Sequence, residues 1–305
     1  MPRGFFSICC VLFVGSGSVA RGPDPSPPGA AASHARPVGE HLSAPEPAAP
    51  LPFFYDLFTF RSESGGTDVV AAIAVHAGRL RRERTDDRVR YRFDVRFVLA
   101  DTARRSVFRS IDSVFVSLPY SLPGQHLLHT YVQVRAPPSG TTLQRVIVTD
   151  ASRPGVGQLY QSPLPVPDYG GDELMLSDVA FGLPDAEDGW TRRGVTLALL
   201  PTSQFPESAF DVYYEVYNLP PGTPYETEIS IEPLDGGDDP GPVVRAVFRG
   251  ESASDADGTL GELRRIESAL AMGRYRLTVV VRDRVNGRLA TRSRPIEVRG
   301  WGDGM

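Results

Sequence analysis

Tyr213, Glu215 and Tyr217 stand at alternate positions of the stretch Phe210–Leu219. Alternate side chains of a strand share one face, so the spacing would present two phenols with a carboxylate between them. Such a face can stack a sugar ring and hydrogen-bond its hydroxyls. Phe210, Val212, Tyr214 and Val216 would then take the core side, with Asp211, Tyr213, Glu215 and Tyr217 outward. Cross-strand packing, or the seam between two domains, is the competing account of the same residues. A second chemistry lies in two acidic loops. Asp235, Asp238 and Asp239 occupy one, and Asp255-Ala256-Asp257-Gly258 occupies the other. Calcium takes several carboxylate and carbonyl oxygens from a bent loop. The second loop looks like half of an EF-hand, but the first and last positions of that frame would be Ala253 and Arg264, and neither is a ligand. No cofactor is expected beyond a structural calcium at these aspartates, and solvated turns are the simpler account of both loops.

Other chemistries lack their residues. The chain has no Gly-x-Ser-x-Gly elbow, no phosphate-binding glycine loop and no His-Glu-x-x-His helix. His126 and His129 flank Leu127-Leu128; a helix would bring them to one face and a strand to opposite faces, and with no third ligand at metal spacing a surface loop is expected. Arg79, Arg81, Arg82, Arg84, Arg88, Arg90, Arg92 and Arg96 make a basic run. It would suit an acidic partner such as a phosphorylated glycan. Interleaved with Glu83, Asp86, Asp87 and Asp94, it also reads as a solvated hairpin tip and outer sheet face.

The elements that must carry these residues are strands. Val89, Tyr91, Phe93, Val95, Phe97 and Leu99 alternate with Arg90, Arg92, Asp94 and Arg96, the mark of a strand with one buried face. Further strands are expected over 53–60, 68–80, 106–118, 127–134, 143–149, 174–181, 194–200, 210–219, 225–231 and 243–248, while 262–271 fits either a short helix or a strand. One pattern occurs twice. Gly140 is followed ten residues on by Asp150, and Gly273 ten on by Asp283; each aspartate precedes a glycine-bearing turn and a strand containing proline. Leu270-x-x-Gly273-x-Tyr275 looks like the corner of immunoglobulin-like and fibronectin-like modules. The expected fold is therefore all-β, two tandem immunoglobulin-like or fibronectin-like β-sandwich domains.

The chain of 305 residues has room for two such domains. Arg3, the apolar run Phe5–Val14 and Ser18-Val19-Ala20 read as a signal peptide over 1–20. Residues 21–50 are rich in Pro and Ala and read as a disordered arm. Domains are expected over 51–168 and 169–305. Cys9 and Cys10 are the only cysteines and lie in the leader, so the mature chain would hold neither disulfide nor thiolate site. All 32 basic residues are arginine, and the formal charge of -5 speaks against a nucleic-acid partner. No segment of the mature chain reads as membrane-spanning.

Phe54-Tyr55-Asp56-Leu57-Phe58, Leu176-Ser177-Asp178-Val179 and Val212-Tyr213-Tyr214-Glu215-Val216-Tyr217-Asn218-Leu219, in this order, resemble the β-rich region of exported bacterial proteins of the GWxTD-domain type. The naming motif itself is absent; Gly189-Trp190-Thr191-Arg192 echoes part of it. The resemblance implies no activity and no functional residue. The expectation is a non-catalytic, exported binding or scaffold protein of the bacterial envelope, periplasmic, surface-bound or secreted, contacting protein or glycan. The rival is a carboxylate-dependent hydrolase acting on envelope or extracellular polysaccharide.

Overall fold

The computed structural model describes residues 49–298, apart from 86, 102–106, 184–187, 202–208, 235–242, 256 and 268–269. The expected leader and nearly all of the expected arm, together with Asp235, Asp238 and Asp239, lie outside the described residues. The first half runs β1 (Ala49–Pro50), β2 (Phe54–Arg61), β3 (Thr67–His76), β4 (Glu83–Arg84), β5 (Val89–Asp101), β6 (Val107–Leu118), β7 (Leu127–Ala136), β8 (Ser139–Asp150) and β9 (Val156–Val166). The second half runs β10 (Met175–Leu176), β11 (Ala180–Leu183), β12 (Trp190–Arg192), β13 (Val195–Leu199), β14 (Ala209–Tyr217), β15 (Pro224–Pro233), β16 (Val244–Glu251), β17 (Leu260–Glu267), β18 (Gly273–Asp283) and β19 (Leu289–Val298).

Pairing repeats with the chain. In the first half β3 lies between β2 and β7, and a second sheet runs β9-β8-β5-β6. In the second half β14 lies between β17 and the pair β10 and β11, and a second sheet runs β19-β18-β15-β16. Each half is thus a sandwich of the fibronectin-like kind. The second carries an addition: β13 and β12 extend its first sheet beyond β11.

The duplicated hairpins are held alike. Asp150 Oδ1 accepts the Ser152 N–H at 2.9 Å, and Asp283 Oδ1 accepts the Val285 N–H at 2.8 Å, two residues on in both cases. A following arginine folds back onto each carboxylate, Arg153 Nε at 2.7 Å and Arg288 Nε at 3.0 Å. Gly155 and Gly287 supply the left-handed backbone of the two turns, with φ of 80° and 69°. In the second half Tyr275 closes the expected corner, its hydroxyl donating to the Ala271 carbonyl at 2.8 Å. Thr142 is the counterpart of Tyr275, so the first half lacks this bond.

The two sandwiches stack with their three-stranded cores back to back. Alternate residues of β3 divide between two cores. Val69, Ala71, Ile73 and Val75 join the one beneath β5 and β8, while Val70 and Ala72 join the one shared with the second half. Phe58 and Phe60 of β2 lie in that second core beside Phe181, Trp190 and Tyr213. β3 is consequently buried on both faces. So is β14: Phe210, Val212, Tyr214 and Val216 turn toward β15 and β18, and the other face meets β2. Burying a large apolar side chain stabilises by about 1.5–3 kcal/mol, and here a single strand does so toward two layers.

Several expectations are corrected. The stretch 174–181 is no single strand; it breaks at Ser177-Asp178, where the Asp178 N–H donates to the Thr59 carbonyl at 3.0 Å. The segment 262–271 belongs to strand β17 in its first part. The arm's last residues, Ala49–Pro50, pair with β9 in parallel. His129 sits in β7 rather than in a loop, and burial, then the charge of His126, lowers its pKa to about 4. No helix among the described residues is long and apolar enough to cross a membrane.

Burial opposes ionisation of Asp283, but hydrogen bonds from Asn286, Val285 and Arg288 outweigh it and bring its pKa down to about 2. A carboxyl lowered on folding stabilises fully above its unfolded value of about 3.9 and loses that contribution as pH falls toward the folded value. We expect Asp283→Asn to lower stability near neutral pH and to flatten its decline between about pH 4 and pH 2, as measured by urea denaturation across that range. Tyr275→Phe should cost about 1 kcal/mol with an unchanged denaturant slope.

Candidate functional site

Tyr213, Glu215 and Tyr217 do share a face, as the alternation predicts, but that face is buried: all three are fully inaccessible. The predicted outward sugar platform is therefore corrected to a node between the two sandwiches. The reason lies in the packing, since β2 and its sheet cover the side of β14 that an isolated domain would turn to water.

Glu215 collects five donors. Tyr213 OH reaches Oε1 at 2.8 Å and Tyr217 OH reaches Oε2 at 2.7 Å. Arg192 forks onto both oxygens, Nε at 2.7 Å and Nη2 at 3.0 Å, and Arg193 Nε adds a contact at 3.2 Å. A carboxylate taken from water needs this completeness, because an unmade bond there costs more than a made one contributes. Burial, then the Glu215 charge, pushes the Tyr213 and Tyr217 hydroxyls far above the usual phenol range, so both remain donors. Burial opposes the charge on Arg192, and hydrogen bonding to Glu215 outweighs it, so that pKa moves up.

The same residues bind the edge of β2. The Arg61 N–H donates to Tyr217 OH at 2.8 Å, and Arg192 Nη2 donates to the Arg61 carbonyl at 2.6 Å. The Thr59 N–H donates to Asp178 Oδ2 at 2.9 Å, and Arg294 Nη2 donates to the Leu57 carbonyl at 3.1 Å. Arg192 Nη1 also reaches Asp68 of β3 at 3.3 Å. Backbone groups that an edge strand would offer to another chain are thus occupied by side chains of the second half.

Asp255 and Asp257 lie at the rim of this node. Both ion-pair with Arg193, Asp257 at 3.1 Å, and Asp257 is 3.6 Å from Arg61. The metal expectation for these two is corrected accordingly: their oxygens face guanidinium groups. Among the described residues no three His, Cys, Asp or Glu side chains converge as a metal site requires.

Sequence reasoning missed Arg61, Asp178, Arg192 and Arg193. The available signal was the fragment Gly189-Trp190-Thr191-Arg192. Trp190 is buried against Phe60 and Tyr213, with centroids 5.0 and 5.5 Å away, and its depth carries Arg192 inward. Gly189 permits that turn, since a Cβ there would sit 2.2 Å from the Leu197 carbonyl oxygen.

The basic run divides. Arg88 Nε donates to Ser117 Oγ at 2.8 Å near the hairpin end. Arg90, Arg92 and Arg96 point away from the first core on the outer face of β5, beside Phe115 and Ile111 of β6. These two are 40% and 56% exposed, which makes this face a surface rather than a core.

Glu215→Ala should cost about 3–5 kcal/mol by stranding Arg192, and Glu215→Leu with Arg192→Met should recover part of it. Chemical denaturation of the parent, Glu215→Ala, Glu215→Leu, Arg192→Met and the double variant checks both; additive losses of the last two single changes would show that the pair does not act as a unit.

No family model matches the chain, and no curated protein does. Among solved structures, red sea bream transglutaminase is similar over 81% of this chain and 31% of its own, at 13% identity and a TM-score of 0.23. Bacteroides uniformis beta-glucuronidase is similar over 76% of this chain and 26% of its own, at 10% identity and a TM-score of 0.29. The chain spans less than a third of either neighbour, and likenesses of this size carry no argument about its chemistry.

Proposed function

We propose that this is a non-catalytic binding or scaffold protein, exported to the bacterial envelope, that contacts protein or glycan through its outer sheet faces. One observation carries the reading: each buried carboxylate among the described residues is paired with arginine. Asp68 meets Arg135 and Arg192, Asp150 meets Arg153, Asp178 meets Arg292, and Asp211 meets Arg265. Glu215 meets Arg192 and Arg193, Glu262 meets Arg264, and Asp283 meets Arg288. A glycoside hydrolase needs two carboxyl groups flanking the scissile bond, one of them holding a proton it can deliver. Carboxylates locked to guanidinium groups, which keep their charge, are poor candidates for that task. Their arrangement suits a stiff two-sandwich body that presents surfaces.

The mature chain, incubated with envelope and extracellular polysaccharides, is expected to release no new reducing ends while being retained on at least one envelope component. Turnover that survives purification and disappears on mutation of a carboxylate would overturn the proposal.

A further inference from the structure

The duplication supplies its own comparison for the outer faces. β15, the counterpart of β5, points Glu226, Glu228, Ser230 and Glu232 away from its core. Neighbours on β16 neutralise two of these acids: Arg249 Nε lies 2.7 Å from Glu226 and Arg245 Nε lies 2.8 Å from Glu228. By the register of the two hairpins β5 carries Asp94 and Arg96 at the places of Glu226 and Glu228, with Arg90 and Arg92 earlier on the same face. Asp94 accepts from Ser113 Oγ at 2.7 Å, and the Arg90 guanidinium lies 5.9 Å from the Phe115 ring centroid. Among the described residues Arg92 and Arg96 meet no carboxylate; Arg92 is opposite Phe115 and Arg96 is opposite Ile111. The first sandwich therefore shows three arginines and one aspartate on this outer face, Arg92 and Arg96 in no ion pair among the described residues, alongside the exposed Phe115 and Ile111.

We propose that this strip of β5 and β6 binds an acidic polysaccharide lying along the strands. This rests on the binding reading above and names its partner. Guanidinium groups fork onto carboxylates and are weakly hydrated, so they surrender water readily to a uronate. Arg92 and Arg96 are four residues apart, about 13 Å along the strand, a spacing suited to repeated charges on an extended chain. Phe115 and Ile111 offer apolar surface to the C–H faces of sugar rings beside those charges. The two rows are about 5 Å apart, the width of one polymer chain; a stable protein interface spreads over roughly 800 Å² per partner.

The test uses the full mature chain with polygalacturonate as probe, neutral dextran and polyglutamate as comparisons, and retention measured against salt. Polygalacturonate should be retained at low salt, and dextran should not. R92A with R96A should weaken retention at least tenfold. F115A should weaken polygalacturonate several-fold and leave polyglutamate unchanged, while R245A with R249A on the second sandwich should change neither. Melting curves matching the parent would show that the surface variants fold. Retention insensitive to R92A with R96A overturns the proposal, as does a Phe115 effect equal for both polyanions. No retention of polygalacturonate, with another envelope component still bound, sinks this partner and spares the binding reading. New reducing ends from polygalacturonate would sink the binding reading and spare the strip.

Discussion

The structure depends on how the edge of β2 is closed. An edge strand presents a row of unpaired N–H and C=O groups, and leaving them dry and unmatched would cost more than burial of Phe58 and Phe60 could offset. Here the second sandwich brings Asp178, Arg192, Tyr217 and Arg294 to that edge and satisfies it by side chain. Apolar packing supplies the drive, and these bonds set the relative placement in which the edge groups of Leu57, Thr59 and Arg61 are met. The same act removes β2 as a template for a further strand.

The absence of lysine acquires a physical meaning in this setting. A buried carboxylate between two layers needs a partner that keeps its charge when dehydrated and can divide its donors between targets. Arg192 addresses Glu215, Asp68 and the Arg61 carbonyl at once, and its guanidinium lies 4.8 Å from the Phe60 ring centroid. An ammonium on a flexible stem could not span those positions. A genomic bias toward arginine is the simplest origin of the composition, and this fold makes use of the outcome.

Much of the fold was legible in the sequence, and the reasons are local. The alternation over 89–99 fixes one buried face for β5, and the aspartate before each glycine-bearing turn fixes both hairpins. Gly273 and Tyr275 specify a corner that closes within five residues. What could not be read is what covers a face. Alternation in Phe210–Tyr217 sorts the residues correctly into two sets, but the outward set met the other sandwich instead of water. Tyr213 and Tyr217 were already a hint, since both parities of that strand are bulky and no arginine or serine interrupts them. The break at Ser177-Asp178 was equally hidden, because its partner, Thr59, lies over a hundred residues away.

The misplacement of the predicted sugar face carries a positive lesson about where binding can reside. Two sandwiches joined through β2, β3 and β14 surrender the inner sheet of each half. Only the outer sheets, β9-β8-β5-β6 and β19-β18-β15-β16, remain to face solvent across their full width. On the second of these, β15's acids meet arginines across the strand pair, so selection for solubility alone accounts for it. On the first, Arg92 and Arg96 flank Asp94 without an ion pair among the described residues, beside the exposed Phe115 and Ile111. The two halves share strand order and aspartate-anchored hairpins yet differ in the corner tyrosine, in the added β12 and β13 and in the charges of these outer faces, so strand pairing holds the frame constant while the solvent-facing rows are free to differ.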